Sequence, residues 1–337
     1  MKTRLTIFAL IYLASISARA QNLIAVQHAG VPKFYTDLPL AITGALAGDT
    51  VYIPGGSYPA ITISKQLCLI GVGANPDSTK IGGKTIIASL ALSTGVDKGS
   101  LSGIYTVGGI SLGAVINGYT ISRCYINSIG GPAPSTSNFL LKENIINYIV
   151  TTNADYWNLS NNIFTGMIQG LGLSYIKNNI FLFPGTQLYS ANGIIENNIF
   201  AYFPGSNSEG GPGYNFFYNN VNAGVNSDGS SSSVNVDHDQ GNGNFFDGIN
   251  ITNIFPTYGP SVLNTDGIYE VNFNLPANSK YKKAGTDGTD LGIYGGAYPW
   301  KSGSIPSNPH FQSITIGPTT DSSGNLKVQI TVAAQNN

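Results

Sequence analysis

The stretch between residues 121 and 222 repeats a six-residue pattern at a nearly constant interval. Six segments align without gaps, and their fourth residues lie 17 to 22 positions apart. The first residue of each is apolar, the second and third are mostly polar, and the sixth is Ile or Phe in all but the last. The segments are ISRCYI (121–126), LKENII (141–146), LSNNIF (159–164), IKNNIF (176–181), IENNIF (195–200) and FYNNVN (217–222). A repeat of this length predicts a solenoid, in which each repeat forms one coil.

The residue types of the repeat distinguish between two kinds of solenoid. A leucine-rich repeat needs several Leu per unit at a fixed spacing. These segments instead use Ile, Phe, Tyr and Val, which favour β-strands. No helical periodicity occurs between the segments. We therefore predict an all-β fold, a right-handed parallel β-helix over residues 21–303, in which equivalent residues stack from coil to coil.

The fourth repeat position is almost always asparagine. A short turn between strands needs a residue that tolerates the left-handed conformation, and Asn is the best choice after Gly. Stacked Asn amides can also form hydrogen bonds along a column. We predict that this column faces inward or lies in turns, and that Cys124 shares its inward position. The asparagines are Asn144, Asn162, Asn179, Asn198 and Asn220.

These segments and two flanking motifs resemble the pectin-lyase-like superfamily of right-handed parallel β-helices. Residues 48–71 (GDTVYIPGGSYPAITISKQLCLIG) look like the opening coil of such proteins. Residues 284–296 (AGTDGTDLGIYGG) are similar to the closing segment of secreted bacterial β-helix proteins, particularly from Bacteroidetes. The resemblance covers residues 35–300 and implies the fold. The superfamily includes lyases, hydrolases, adhesins and binding proteins, so the resemblance leaves the function open.

Residues 1–20 have the pattern of a secretory signal peptide. Two basic residues precede an apolar stretch at 5–16, and Ala18 and Ala20 supply the small residues of a cleavage site. The apolar stretch is shorter than the roughly 20 residues that a membrane-spanning helix needs. We therefore predict a secreted bacterial protein, located outside the cell, in the periplasm or on the cell surface, with no membrane span.

A short helix is predicted to cap the N-terminal end of the solenoid. Residues 36–37 (Thr-Asp) can cap a helix over residues 38–47. Leu38, Ile42 and Leu46 share one face of that helix. This apolar face would cover the open end of the first coil, which solenoids require for solubility.

The C-terminal region, residues 304–337, is interpreted as a linker and a β-strand tail. Two strand-like stretches at 311–316 and 326–334 flank a turn at 321–325. This arrangement predicts a β-hairpin that packs on the rod or pairs with a partner.

The two cysteines, Cys68 and Cys124, each lie within an apolar run. Buried free thiols behave as small hydrophobic groups. The repeat places the two residues about three coils apart, roughly 14 Å at about 4.8 Å per strand layer. That separation exceeds the reach of a disulfide. We therefore predict two free, buried thiols.

The chain carries little charge, which excludes one class of partner. Charged residues are 10% of the chain, the formal net charge is −1, and Arg123 is the one arginine after residue 20. Nucleic-acid binding depends on many Lys and Arg contacts with phosphates. The composition therefore excludes a nucleic-acid partner.

The few charged residues of the repeats form a candidate catalytic strip. Position two places Lys142 and Lys177 on the outer side, roughly 10 Å apart at about 4.8 Å per coil, with Glu196 one coil further. Position three places Arg123 beside Glu143. One interpretation is a charged groove of the kind that lyases of the superfamily use. The other is ordinary ion pairs along the rod, worth at most about 1 kcal/mol each. Because the two acids can neutralise two of the cations, we expect no uronate lyase activity.

Three aspartates are further candidates. The sequence NTDGI around Asp266 resembles one motif of polygalacturonase-type glycoside hydrolases, which implies a catalytic acid there. The other motifs of that family are absent, and inverting hydrolysis needs two placed carboxylates, so a turn is the simpler interpretation. Asp287 and Asp290 could bind Ca²⁺ with turn carbonyls. Two carboxylates supply few of the six or more oxygen ligands that Ca²⁺ prefers. No other metal or cofactor is predicted.

Aromatic residues near the last repeats are candidate ligand-binding residues. Exposed Tyr and Trp offer flat apolar faces with polar tips, although packing between coils explains them as well. The candidates are Tyr156, Trp157, Tyr202, Tyr214 and Tyr218. Three functions remain open: non-catalytic binding of an extracellular polysaccharide or cell-surface glycan, a polysaccharide lyase or glycoside hydrolase with an atypical site, and a structural or adhesive rod.

Overall fold

The computed structural model of this protein shows a parallel β-helix, which confirms the predicted fold class. The predicted signal peptide, Tyr202, Tyr214 and Asn220 lie outside the residues that it describes. The described residues are 23–79, 82–131, 136–182, 188–190, 193–201, 216–218, 221–222, 245–246, 251–301, 304–306 and 310–333.

The strands are short, mostly two to five residues, because the chain bends several times within each coil as it passes once around the core. The first fourteen in chain order are β1 (Ile24–His28), β2 (Val31–Tyr35), β3 (Thr50–Tyr52), β4 (Gly56–Tyr58), β5 (Ile61–Ile63), β6 (Cys68–Ile70), β7 (Thr85–Ile87), β8 (Leu90–Leu92), β9 (Ser100–Ser102), β10 (Tyr105–Thr106), β11 (Ile110–Leu112), β12 (Thr120–Ser122), β13 (Tyr125–Gly130) and β14 (Thr136–Ser137).

The same pattern continues to the last coil and is followed by a separate hairpin. The remaining strands are β15 (Leu140–Lys142), β16 (Ile145–Asp155), β17 (Asn158–Ser160), β18 (Ile163–Phe164), β19 (Ile168–Leu171), β20 (Tyr175–Lys177), β21 (Ile180–Phe181), β22 (Leu188–Ser190), β23 (Ile194–Glu196), β24 (Ile199–Phe200), β25 (Phe216–Tyr218), β26 (Val221–Asn222), β27 (Phe245–Phe246), β28 (His310–Thr320) and β29 (Leu326–Ala333). The helices are α1 (Leu38–Gly44) and α2 (Ile251–Ile254), with 3-10 turns at Asp77–Thr79, Pro260–Val262 and Asp266–Glu270.

Two sheets enclose the core. Sheet A has the order β2-β1-β3-β6-β9-β12-β15-β17-β20-β23-β25 and is parallel from β3 onward, whereas β1 and β2 pair antiparallel at its N-terminal end. Sheet B contains the other strands of each coil. Its longest strands, β13 and β16, each pair with two rows of strands, so that the sheet bends around the core.

The register of sheet A confirms the repeat alignment. Leu141 pairs with Ile121 on the preceding coil and with Leu159 on the following one. The next coils continue the same column with Ile176 and Ile195. The first residues of the first five repeat segments are therefore stacked and fully buried.

The asparagines at position four form a buried ladder, as predicted. Oδ1 of Asn162 accepts the backbone N–H of Asn144 at 3.0 Å and its side-chain amide at 2.9 Å. Asn179 receives the same two bonds from Asn162, and Asn198 receives them from Asn179. At the top of the ladder the backbone N–H of Cys124 donates to Asn144. All four asparagines are fully buried, so each amide joins neighbouring coils inside the core.

The left-handed conformation belongs to position three rather than to position four. This is a correction to the sequence prediction, which assigned both roles to the same Asn. The turn residue tolerates a positive φ, while the next side chain enters the core and makes the ladder. The residues with positive φ are Arg123 (52°), Glu143 (57°), Asn161 (58°), Asn178 (54°) and Asn197 (61°).

Positions five and six of the repeat both lie in apolar surroundings. Position six faces inward, where the rings of Phe164, Phe181 and Phe200 stack with centroids 4.9 and 4.4 Å apart. Position five faces outward but is buried, because it belongs to a second apolar cluster. This cluster is completed by a C-terminal cover, residues 251–275, which lies on the outside of sheet B. Residues of sheet B at position five are Ile145, Ile163, Ile180 and Ile199.

The predicted capping helix forms, but it is shorter than expected. Helix α1 ends at Gly44, and Asp37 caps it by accepting the backbone N–H of Leu40 at 2.8 Å. Leu38 and Ile42 are buried against the first coil, as predicted. Leu46 lies beyond the helix end and is 57% exposed, so its assignment to the buried face is wrong.

Both cysteines are free thiols, as predicted, but the predicted burial of Cys68 and the predicted separation of three coils are wrong. Strand β6 carries Cys68, and Cys124 follows β12, so the two lie two coils apart rather than three. Cys124 is buried, whereas Cys68 is half-buried. Burial raises the pKa of the Cys124 thiol to about 12, and backbone hydrogen bonds offset only part of that effect.

Replacing a ladder asparagine should destabilise the protein. In Asn179→Leu the backbone N–H of Asn162 and the carbonyl of Leu159 lose their partners inside the core. We expect the free energy of unfolding to fall by about 1–3 kcal/mol per group left unpaired, measured by urea unfolding. Gln169→Leu, at an exposed position of β19, is the matched control and should change stability by less than about 0.5 kcal/mol. Equal effects of the two substitutions would contradict the ladder.

The two thiols should differ in reactivity. At pH 8 in the native protein, Cys124 should resist alkylation because the thiolate is the reactive form and burial suppresses it. Half-buried Cys68 should react first, and Cys68→Ser should leave no rapidly labelled thiol. In denaturant without reductant, two thiols should be labelled, as counted by mass spectrometry. Native labelling of Cys124 as fast as Cys68 would show that the burial assignment is wrong.

Candidate functional site

The outer face of sheet A is the surface on which several predicted site residues meet. Side chains of a strand alternate between its two faces. On β20 this places Ile176 in the core and Tyr175 and Lys177 outside. Tyr175 is 43% exposed, a large value for an aromatic side chain on a sheet.

Lys177 and Glu196 form an ion pair between neighbouring coils. They are register partners on β20 and β23, and their charged atoms lie 2.6 Å apart. The Lys177 ammonium also lies 5.3 Å from the centroid of the Tyr175 ring. Opposite charges on neighbouring coils therefore neutralise each other and hold the tyrosine beside them.

Tyr156 lies at the corner where sheet B ends and sheet A begins. It has a positive φ of 57°, and its side chain is 53% exposed. Its backbone N–H donates to the carbonyl of Leu173 on the next coil, and Leu173 is 45% exposed. Two residues further along the chain, Asn158 pairs with Tyr175. The corner therefore brings Tyr156, Leu173 and Tyr175 to adjacent coils. We name these three residues the aromatic corner.

Trp157, the neighbour of Tyr156, is a core residue. Its side chain is fully buried, and its ring stacks on Phe139 with centroids 4.5 Å apart. Its indole N–H donates to the carbonyl of Thr136. The prediction that Trp157 contacts a ligand at the surface is therefore wrong, because the side chain of the residue directly after Tyr156 points into the core.

The turn residues at position three bind the C-terminal strap, which we define as residues 286–301 and 304–306. The amide of Asn197 accepts the backbone N–H of Thr286 at 2.9 Å. Asn178 donates to the carbonyl of Asp290. Asn161 donates to the carbonyls of Ile293 and Gly295 at 2.9 and 2.6 Å. The strap therefore runs back along the rod, from the later coils toward the earlier ones.

The strap ends at the two position-three residues that are not asparagine. Arg123 and Glu143 form a buried ion pair with 3.0 Å between Nε and Oε2. Arg123 also donates to the carbonyl of Ile305, and Ser304 donates to the carbonyl of Glu143. This pair was predicted from the repeat, and its position beneath the strap makes it an anchor of the C-terminal segment.

Lys142, the third candidate of the charged strip, lies two coils from Lys177 in the same outward column and is half-buried beside the strap. Its ammonium lies 4.6 Å from the centroid of the Tyr298 ring. Burial lowers the pKa of Lys142, and the positive charges of Arg123 and Lys301 lower it further, against the opposing effect of Glu143. Lys142 and Lys177 therefore share the outer face of sheet A with Ser160 between them, but Lys142 contacts the strap whereas Lys177 pairs with Glu196.

The predicted aspartates occupy other places in the fold. Asp266 begins a 3-10 turn of the C-terminal cover and pairs with Lys84 at 2.8 Å, on the side of sheet B. Asp287 accepts the backbone N–H and hydroxyl of Thr289, which is a turn. These contacts support the interpretation of both residues as turn residues, and they bring neither to the aromatic corner.

Asp290 binds a lysine of its own segment. Burial alone would raise the pKa of Asp290, but hydrogen bonds from the Lys282 ammonium and the Lys283 N–H, with their charges, outweigh it and lower the pKa. Within the described ranges no three His, Cys, Asp or Glu side chains come together in a way that could hold a metal ion. The Ca²⁺ site at Asp287 and Asp290 remains a sequence expectation.

Two further tyrosines, Tyr218 and Tyr175, belong to strands of sheet A. The backbone of Tyr218 lies in β25, in register with Glu196, so that position two continues beyond the ion pair. Tyr175 was missed by sequence reasoning, although a signal for it exists. It precedes position one, and alternation puts the residues on both sides of an inward Ile on the outer face.

A shallow groove of about 180 Å³ lies elsewhere, on sheet B at the early coils. It is lined by small residues, among them Thr62, Ala91, Gly109 and Ser111. It contains neither aromatic nor charged side chains, and none of the candidate residues lines it.

No protein-family model, curated protein or solved structure matches this chain. The arrangement of its strands makes the chain a parallel β-helix protein. None of the helices that the structure describes has the length and apolar character needed to cross a membrane.

The buried ion pair beneath the strap should depend on both partners. Arg123→Met leaves the Glu143 carboxylate buried without its partner, and we expect a loss of about 3–5 kcal/mol in the free energy of unfolding. The double variant Arg123→Met/Glu143→Met should recover most of this loss, because no uncompensated charge remains. Urea unfolding of both variants is the measurement. A double variant as unstable as the single one would contradict the role of charge compensation.

Proposed function

We propose that this protein is a secreted, non-catalytic β-helix protein of the pectin-lyase-like type that binds an extracellular glycan through the aromatic corner. Its predicted signal peptide supports export from a bacterium, and the motifs at 48–71 and 284–296 support a relation to secreted proteins of Bacteroidetes. The partner in this proposal is a polysaccharide or a cell-surface glycan.

The observation that carries the proposal is the exposure of two tyrosines at one corner of a rigid sheet. Tyr156 and Tyr175 are 53% and 43% exposed and lie on adjacent coils. A phenol ring has an apolar face for the C–H side of a sugar ring and a hydroxyl for its polar groups. Side chains on a stacked β-helix need little ordering on binding, which favours affinity.

The charged side chains of the repeats favour binding of an uncharged glycan over catalysis. β-Elimination from a uronic acid needs a free base and positive charge at the carboxylate. Lys177 is paired with Glu196 and Arg123 with Glu143, and the half-buried Lys142 holds its ammonium 4.6 Å from the centroid of the Tyr298 ring. For this reason we propose glycan binding rather than the alternative function of a lyase or hydrolase with an atypical site.

The test is a panel of soluble polysaccharides, examined for binding by calorimetry or affinity electrophoresis and for product release in the same samples. Tyr175→Ala and Tyr156→Ala should each weaken binding at least about tenfold, equivalent to about 1.4 kcal/mol. Tyr148→Ala is the matched control, since Tyr148 is a 37% exposed tyrosine on sheet B. It should bind like the unmodified protein.

Three outcomes would overturn the proposal. One is the absence of binding across the panel, and another is equal loss in the Tyr148 and Tyr175 variants. The third is release of unsaturated product from pectate, alginate or a related uronate, with or without Ca²⁺, that is lost in Lys177→Ala and kept in Lys33→Ala. That result would establish the strip of Lys142, Lys177 and Glu196 as an active site.

A further inference from the structure

The C-terminal hairpin of β28 and β29 stands apart from the two sheets of the rod. Its strands pair antiparallel with each other and, among the described residues, with no other strand. Every residue of β29 from Leu326 to Val332 is exposed, so that the rod covers neither face of this strand. A two-stranded hairpin without a packed face is only marginally stable in water.

One face of β29 is apolar and the other is polar. Alternation places Lys327, Gln329 and Thr331 on the polar face. The apolar face is formed by four residues that are each about half exposed, Leu326 (49%), Val328 (48%), Ile330 (52%) and Val332 (50%). The register sets Ile330 opposite Ile314 and Val328 opposite Ile316 on the partner strand. This apolar stripe is a surface that requires a cover.

We infer that the cover is the same hairpin of a second copy of this chain, so that the protein self-associates through its tail. A flat stripe of similar side chains is complementary to its own copy under a two-fold axis. The hairpin carries one acid, Asp321, and one Lys, Lys327, so that two copies meet without a net charge of one sign. Two facing hairpins form a small four-stranded sandwich with inner faces about 10 Å apart.

The area of the stripe sets the strength of the association. Four half-exposed side chains present on the order of 300 Å² of apolar surface, the lower end of the size of the largest apolar patch on a typical monomer, and such patches are often functional. A stable complex buries about 800 Å² on each partner. The stripe of β29 falls short of that value, so the dimer is a weak one, with a dissociation constant on the order of 10–100 μM.

The position of the hairpin allows two rods to meet without blocking the aromatic corner. The strap ends at Pro306, which packs on Gly103 and Gly73 at the early coils. The hairpin therefore leaves the rod near its N-terminal coils, whereas the aromatic corner lies on the coils of β17 and β20. A dimer would present two such corners, which raises the avidity for a polymeric ligand.

The test is sedimentation equilibrium of the protein between about 5 and 500 μM. The mass should rise with concentration toward twice that of the monomer. Val328→Lys/Ile330→Lys, which charges the apolar face, should remain monomeric throughout this range. Gln329→Lys/Thr331→Lys adds the same charge to the other face of the same strand and should associate like the unmodified protein, with a dissociation constant changed less than about threefold.

A mass that stays monomeric at every concentration would overturn the inference, and so would association that persists in Val328→Lys/Ile330→Lys. Equal loss in both double variants would also overturn it, because association would then follow charge and not the apolar stripe. Circular dichroism of the variants checks that the rod remains folded. Glycan binding per chain by the monomeric variant should be unchanged, so that failure of this inference is distinguishable from failure of the proposed function.

Discussion

A single side-chain amide, repeated on successive coils, holds the coils of this protein in register. In a solenoid each unit contacts only its neighbours, so a slip between two coils would displace every column beyond it. The inward Asn prevents such a slip. Asn162 accepts two hydrogen bonds from Asn144 and donates to Asn179, while its amide also reaches the carbonyl of Leu141. These groups are buried, so every alternative register leaves several of them unpaired.

The remaining architecture follows from this fixed register. Because the coils are aligned, the turn residues form a straight column along which the strap finds equivalent partners, such as Asn178 and Asn197. The outward Ile residues of sheet B also align, and the C-terminal cover packs on them. Once these two sides are occupied by the chain itself, the part of the outer face of sheet A that carries Tyr175 remains exposed.

The fold was predictable because its determinants are local and repeated. The inward Asn, the buried Ile at position one and the free thiols all follow from one alignment of six segments. The cover was not predicted, although the sequence contains a signal for it. In a segment such as NNIF, adjacent Ile and Phe point to opposite faces, so the sheet is apolar on both sides and needs an additional layer. The site was only partly predictable, since exposure of Tyr156 and burial of Trp157 depend on how the corner turns, and composition does not specify that.

The backward course of the strap has a consequence for the order in which the rod is completed. Ser304 and Ile305 of the strap bind turns at Glu143 and Arg123, which precede them by 161 and 182 positions in the sequence. Coils can stack in sequence order, because their contacts are between neighbours. Their turn amides nevertheless stay hydrated until the strap docks on them. Folding of the rod thus includes a closing step, in which one distant segment replaces water along the whole column of turns.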